Sequence, residues 1–185
     1  MKTINEHYHV YNRGANKDII FIDHSDYHRF LNLLYIANTT ERLKFCNLKL
    51  KEIYKYEKKD TLVEIKAYCL MPNHFHLLLK ETTENGIERF IHKLCTAYSM
   101  YFNIKHRHSG TLFQGQYKHK HVDNDDYLRY LFQYIHLNPF GIEEPDLIKT
   151  EFIEQAEMYS KQYEFSSYKD YLGETRDQIK ILSIS

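Results

Sequence analysis

The chain is 185 residues long, the size of one domain or of one domain with an extension. Apolar residues make up 43% and charged residues 27%, which excludes a collagen-like, low-complexity or fully disordered chain. The formal net charge is zero, so no global polycation argument for nucleic acid applies. Trp is absent, whereas Tyr numbers 17 and Phe 11. Tyrosine brings a flat apolar body with a polar tip, suited to half-buried surfaces and to stacking on bases. Cys46, Cys69 and Cys95 are odd in number and far apart. That excludes a disulfide framework or a cysteine-based zinc module and suggests buried thiols in a reducing compartment. Met1 to His7 has no apolar core of signal-peptide length, and no apolar run approaches the roughly 20 residues of a membrane span. The expectation is a cytoplasmic protein with no membrane partner.

Taken in chain order, His7 to Tyr11 alternates as a strand and stops near Asn12-Arg13-Gly14. Asp26 to Ala37 has helical spacing, with Phe30, Leu33, Leu34 and Ala37 on one side. Phe45 to Tyr56 shows some alternation. Leu62 to Leu70 and His74 to Lys80 read as strands flanking Pro72-Asn73, an antiparallel pair. Asn85-Gly86 opens a long helix carrying Ile87, Phe90, Ile91, Leu94, Cys95, Tyr98 and Phe102. Gly110 to Gly115 is a loop and Tyr117 to Val122 a strand. Asp123 to Asp126 is rich in helix N-cap residues, and a helix runs from Asp126 to Leu137 before Asn138-Pro139 stops it. The C-terminal third is polar and helical up to Tyr163. Strand, helix, strands, helix, strand, helix fits an α+β domain. In it an antiparallel, ferredoxin-like sheet carries helices mainly on one face.

Charge is unevenly spread. From Arg89 to Val122 there is no Asp or Glu, while Arg89, Lys93, Lys105, Arg107, Lys118 and Lys120 all fall there together with five histidines. Such a run is either a solvated face or a local phosphate-binding surface on a neutral protein.

Two patterns carry possible chemistry. In His74-Phe75-His76 a strand would point both imidazoles to one face, roughly 7 Å apart, close enough to share a divalent ion. Phe75 and Leu77 would point to the other layer. Two histidines on a polar strand face would look the same. In the helix ending at Leu137, residues Leu128, Leu131, Phe132 and Ile135 form the core stripe. Tyr127, Tyr130, Tyr134 and Asn138 form a second stripe about 110° away. Tyr134 and Asn138 are neighbours at i, i+4, so their tips can converge. A tyrosine flank packed on a sheet, with Asn138 as a C-cap, is the plain structural alternative.

Several blocks together resemble a known family. They are Tyr8-His9-Val10 with Arg13-Gly14, and Met71-Pro72-Asn73-His74-Phe75-His76-Leu77-Leu78-Leu79. Gly110-Thr111-Leu112-Phe113-Gln114, Tyr134-Ile135-His136-Leu137-Asn138-Pro139, and Phe165-Ser166-Ser167-Tyr168 with Tyr171-Leu172 complete the set. They look like the IS200-like, single-tyrosine HUH transposases, and the last two like the branch called REP-associated tyrosine transposases. The resemblance spans residues 7 to 173.

It implies the HUH endonuclease fold over residues 1–140 and a C-terminal helical extension over 141–185 packed on the same domain. It implies His74 and His76 as metal ligands, Asn138 as the third, and Mg²⁺ or Mn²⁺ as the ion. Tyr134 becomes the nucleophile. It is preferred to Tyr98, Tyr101, Tyr127 and Tyr130 because only it lies in the Tyr-Ile-x-x-Asn-Pro block with an amide one turn on. The implied reaction is cleavage and rejoining of single-stranded DNA at hairpin-associated sites through a 5′-phosphotyrosine, in transposition or repeat mobilisation. The partner would be single-stranded DNA or a DNA hairpin, engaged by a monomer or homodimer near the bacterial nucleoid, with the acid-free stretch following the backbone. A domesticated hairpin-binding protein that has lost the reaction is the alternative. Other phosphoryl chemistries fit poorly: a histidine-triad hydrolase needs a third alternating His where Leu78 stands, and no His-x-Thr or His-x-Ser pair occurs.

Overall fold

The computed structural model describes residues 3–41, 50–140 and 150–184. Four strands, β1 (His7–Arg13), β2 (Val63–Met71), β3 (His74–Glu81) and β4 (Lys118–Val122), form one sheet in the order β2-β3-β1-β4. Every neighbouring pair is antiparallel, which is the split βαβ order expected. Two helices, α1 (His24–Ile36) and α2 (Gly86–His106), pack together on one face. Their Phe30, Leu33, Leu34, Phe90, Leu94 and Tyr98 enclose Val10, Phe75, Leu77 and Leu79 from the sheet in the main core. The third helix, α3 (Asp125–Leu137), lies on the opposite face. There Leu131 and Ile135 cover Ala67, Cys69, Leu78 and Val122. Burying each of those two side chains is worth roughly 1.5–3 kcal/mol.

Local chemistry explains the element ends. Helix α1 starts two residues earlier than the periodicity suggested. Asp23 accepts from the backbone of Ser25 and Asp26, and Asp26 answers the N–H of Asp23 in a capping box. Helix α2 ends at Arg107, whose φ of 50° is left-handed. The expected alternation over Phe45 to Tyr56 takes another form. Leu50–Lys55 is a short 3-10 turn with Ile53 buried, and residues 45–49 lie outside the described residues. Gly14 is required by close approach: a Cβ there would stand 2.1 Å from the Asp18 carbonyl oxygen. The tight loop after β1 depends on that space.

After helix α4 (Thr150–Gln162), the chain closes the outer edge of β2. Leu70 N–H donates to Phe165 O at 2.9 Å, Ser167 N–H to Tyr68 O at 3.0 Å, and Ser183 N–H to Ile65 O at 2.9 Å. An edge strand so covered cannot recruit another chain. Phe165 stacks on Tyr27 at 3.9 Å, and Arg176 pairs with buried Asp170 at 2.6 Å near the short helix α5 (Tyr168–Tyr171). The Ser166-Ser167 block also steadies α3, because the Ser167 hydroxyl meets His136 Nε2 at 2.7 Å. Among the described residues no helix is long and apolar enough to cross a membrane.

Candidate active site

Strand register decides which side chains share the face beneath α3. Directly opposed residues in antiparallel strands point the same way. His76 is opposite Tyr11, which is opposite Lys118; His74 is opposite Arg13; His9 is opposite Lys120. His74 and His76 therefore do share a face, Phe75 and Leu77 face the other core, and β4 sends Lys118 and Lys120 to the histidine side.

His74 is oriented by a chain of fixed donors. Asn73 Nδ2 donates to the Lys17 carbonyl at 3.2 Å, which turns Asn73 Oδ1 toward His74 Nδ1 at 2.6 Å. The proton therefore sits on Nδ1, and Nε2 carries the lone pair. That lone pair faces Asn138 Oδ1 at 3.3 Å. Two acceptors confronting each other is the arrangement that a shared cation reconciles. Asn138 reaches this point because its backbone N–H caps α3 on the Tyr134 carbonyl, one turn after Tyr134. His76 is buried, its ring 5.0 Å from that of His74, and its Nδ1 lies 2.8 Å from His9 Nε2. Tyr134 stands edge-on over both, 5.4 Å from the His76 ring and 6.0 Å from the His9 ring.

Burial keeps all three imidazoles neutral near neutral pH. It lowers His74, with Arg13 adding to the effect against the Asn138 contact, and it pushes His76 well below the ordinary value of 6.5. His9 is lowered to about 4 by burial and by Lys120. Neutral imidazole is the form that ligates metals. Among the described residues no group of three His, Cys, Asp or Glu side chains could hold a metal ion; the side chain that meets the histidine pair from α3 is the Asn138 amide. Two neutral imidazole nitrogens and one amide oxygen would leave open positions on a divalent ion held among them.

His74, His76, Tyr134 and Asn138 line a cavity of about 710 Å³ that also takes in Arg13, Lys17 and Lys118, with no carboxylate among its lining residues. Arg13 is steadied by Gln114, which accepts from its Nε at 2.7 Å, and Gly14 bridges Phe113 beside it. The role of these loops is thus geometric: they set a cationic rim around the histidines. A cavity with three cations and no acid attracts an anion such as a phosphodiester.

The basic stretch seen in the sequence does not make one surface. Lys118 and Lys120 are on the site face. Arg89, Lys93 and Lys105 belong to α2 on the other side of the sheet, and Arg107 is its C-cap. Lys93 donates to the carbonyls of Thr39 and Glu41, at 2.6 and 2.9 Å. Lys105 binds Asp23 at 2.7 Å and Asp26 at 2.8 Å. Sequence reasoning did not single out His9, Arg13 or Lys17 as site residues. Arg13 and His9 stood in a quoted block, but only the β1–β3 register reveals what they face.

Fold and cluster together define a class: a ferredoxin-like domain in which a strand-borne histidine pair faces a helix-borne tyrosine and asparagine. The family model of IS200-like transposases matches residues 21–138, more than half of the chain, and the chain belongs to that family. No curated protein matches it. Among solved structures, a REP-associated tyrosine transposase bound to a REP hairpin superposes with a TM-score of 0.55 at 10% identity. The match covers 96% of this chain and 87% of that one. That likeness bears on the fold.

Proposed function

We propose that this transposase is a metal-dependent single-stranded DNA endonuclease and strand transferase acting at hairpin-associated sites, with Tyr134 as nucleophile. The observation that carries the reading is the carboxylate-free cationic cavity in which His74, His76 and Asn138 converge below Tyr134. Residues 1–140 would hold the chemistry and 141–185 would form an extension, of which Phe165, Ser167 and Ser183 meet β2 and Ser167 also meets α3.

In the reaction, Arg13, Lys17 and Lys118 draw the scissile phosphate into the cavity. His74, His76 and Asn138 would hold a Mg²⁺ or Mn²⁺ ion, which supplies charge relief to the phosphate oxygens. Tyr134 Oη forms a bond to phosphorus and loses its proton to water, while the P–O3′ bond breaks and the 3′ oxygen takes up a proton. The products are a 5′-phosphotyrosine and a free 3′-OH. Because the phosphoester energy is retained, a 3′-OH can reverse the step and join strands without a nucleotide cofactor.

Trapping tests this with a hairpin oligonucleotide bearing single-stranded flanks. The wild type is expected to give an SDS-resistant adduct in Mg²⁺ or Mn²⁺, with the 5′-phosphate on Tyr134 by peptide mapping. Tyr134→Phe removes one oxygen and should give no adduct at any metal concentration. His74→Ala and His76→Ala should abolish divalent-dependent cleavage yet keep DNA binding, since phosphate contacts are spread over other cations. Asn138→Ala should be partly restored by high Mn²⁺. Binding without any adduct in the wild type would instead establish the domesticated, inactive protein.

A further inference from the structure

The tyrosine stripe of α3 continues away from the nucleophile in an ordered way. The Tyr130 and Tyr134 rings are inclined by only 10° with centroids 6.5 Å apart, and Tyr127 and Tyr130 by 20° at 6.1 Å. Rings in full face contact would have planes about 3.5–4 Å apart. At the observed separations the rings run parallel but wider apart than full face contact. All three rings are half-buried.

Opposite them runs β4. It is joined to α3 through Asp123 and Asn124, and the two elements meet where Lys120 approaches Tyr127. Lys118 lines the catalytic cavity, and two residues on, Lys120 Nζ sits 4.4 Å from the centroid of the Tyr127 ring. One wall is thus a row of parallel aromatic faces, and the other a row of cations. Beyond Tyr127 the exposed Asp123, Asp125 and Asp126 end the positive ground.

We propose that this groove is a single-strand subsite. Bases flanking the scissile phosphate stack on Tyr130 and Tyr127, and their phosphates lie along Lys118 and Lys120. This deepens the DNA-processing reading and rests on it. Aromatic faces take any base, so the subsite grips without reading sequence, and its length confines the grip to the few nucleotides next to the cut. Its service to the reaction is orientation: it holds a flexible strand so that the phosphate meets Tyr134 in line.

The test compares binding of an oligothymidine, its abasic counterpart of the same length, and a blunt duplex by fluorescence anisotropy. Tyr127→Leu and Tyr130→Leu each keep a helix-forming apolar side chain but lose the ring. They are expected to weaken oligothymidine binding by about five- to hundredfold, to leave binding of the abasic strand and the duplex unaltered, and to be rescued by Phe at the same position. An equal loss on the abasic strand, or Phe variants as weak as Leu variants, overturns the subsite. So do Leu variants with wild-type affinity that still form the Tyr134 adduct, in which case the catalytic reading survives. A wild type that neither binds these strands nor forms an adduct overturns both.

Discussion

A buried imidazole pair can hold its shared proton in either of two places, and at His9 and His76 the choice decides whether a cation can bind. His76 offers a lone pair at Nε2 only if its Nδ1 carries the proton and donates it to His9 Nε2, 2.8 Å away. His9 is kept neutral by burial and by Lys120, so it is able to accept. Under the proposed function His9 would be a positioning residue that holds the ligating tautomer of its neighbour, as partners behind metal-bound histidines commonly do. His9→Phe preserves an aromatic ring of similar breadth and removes the acceptor. It is expected to weaken Mn²⁺ binding about 10- to 100-fold in a paramagnetic resonance titration with DNA present. His9→Gln, which keeps an acceptor, should recover part of that loss. Wild-type Mn²⁺ affinity in His9→Phe would show that another group sets the tautomer. The His-Phe-His pair was legible in the sequence because a strand alternates its faces every second residue. His9 was not, because its contact spans 67 positions and depends on how β1 and β3 are registered.

Elements are tied together by polar anchors as well as by the core. The start of α1 and the end of α2 meet at Asp26, whose side chain is fully buried. Lys105 at 2.8 Å and His106 at 3.0 Å both reach it, and Tyr101 donates to it at 3.0 Å. Burial pushes the Asp26 carboxyl up, but the hydrogen bonds from Lys105, His106 and the backbone outweigh it and hold the group below its ordinary 3.8. A carboxylate with a depressed folded pKa adds stability above its unfolded pKa and loses it as pH falls through the folded value. Lys105→Met leaves Asp26 buried with a weakened set of partners. It should lower unfolding stability in urea at pH 7 by about 1–3 kcal/mol, less than for a wholly buried pair because Lys105 is partly exposed. The deficit should shrink when the same comparison is made below pH 4, where the unfolded carboxyl is protonated. A deficit independent of pH would assign the effect to packing of the lysine stem. The helices and strands themselves were readable from their periods. Docking of Phe165 to Ser167 beside β2 was not, since those residues show no period and bond to backbone groups far back in the chain.

Across the whole molecule, a net charge of zero conceals a division of labour between the two faces of the sheet. Read along the chain, the cations from Arg89 to Lys120 look like one basic tract. Folded, they are divided by the sheet, because α2 and β4 are consecutive elements that end on different surfaces. The half on α2 includes Lys93 and Lys105, whose ammonium groups are already committed to Thr39, Glu41, Asp23 and Asp26. The half on β4 joins Arg13 and Lys17, which came from a separate part of the sequence, around a cavity without acids. Each cation that displaces counterions from a DNA phosphate adds about 0.7–0.9 to the slope of log affinity against log salt. Lys118→Ala and Lys120→Ala should therefore each flatten that slope by about one unit on single-stranded DNA, with roughly equal losses on unrelated sequences. Arg89→Ala and Arg107→Ala should leave it unaltered for a single strand, whose path stays on the α3 side of the sheet. With a hairpin, a flattened slope for the arginines in addition to the lysines would mean that the stem wraps onto the far face. A flattened slope for the arginines alone, on either ligand, would place the DNA behind the sheet and away from Tyr134, and would overturn the proposed site.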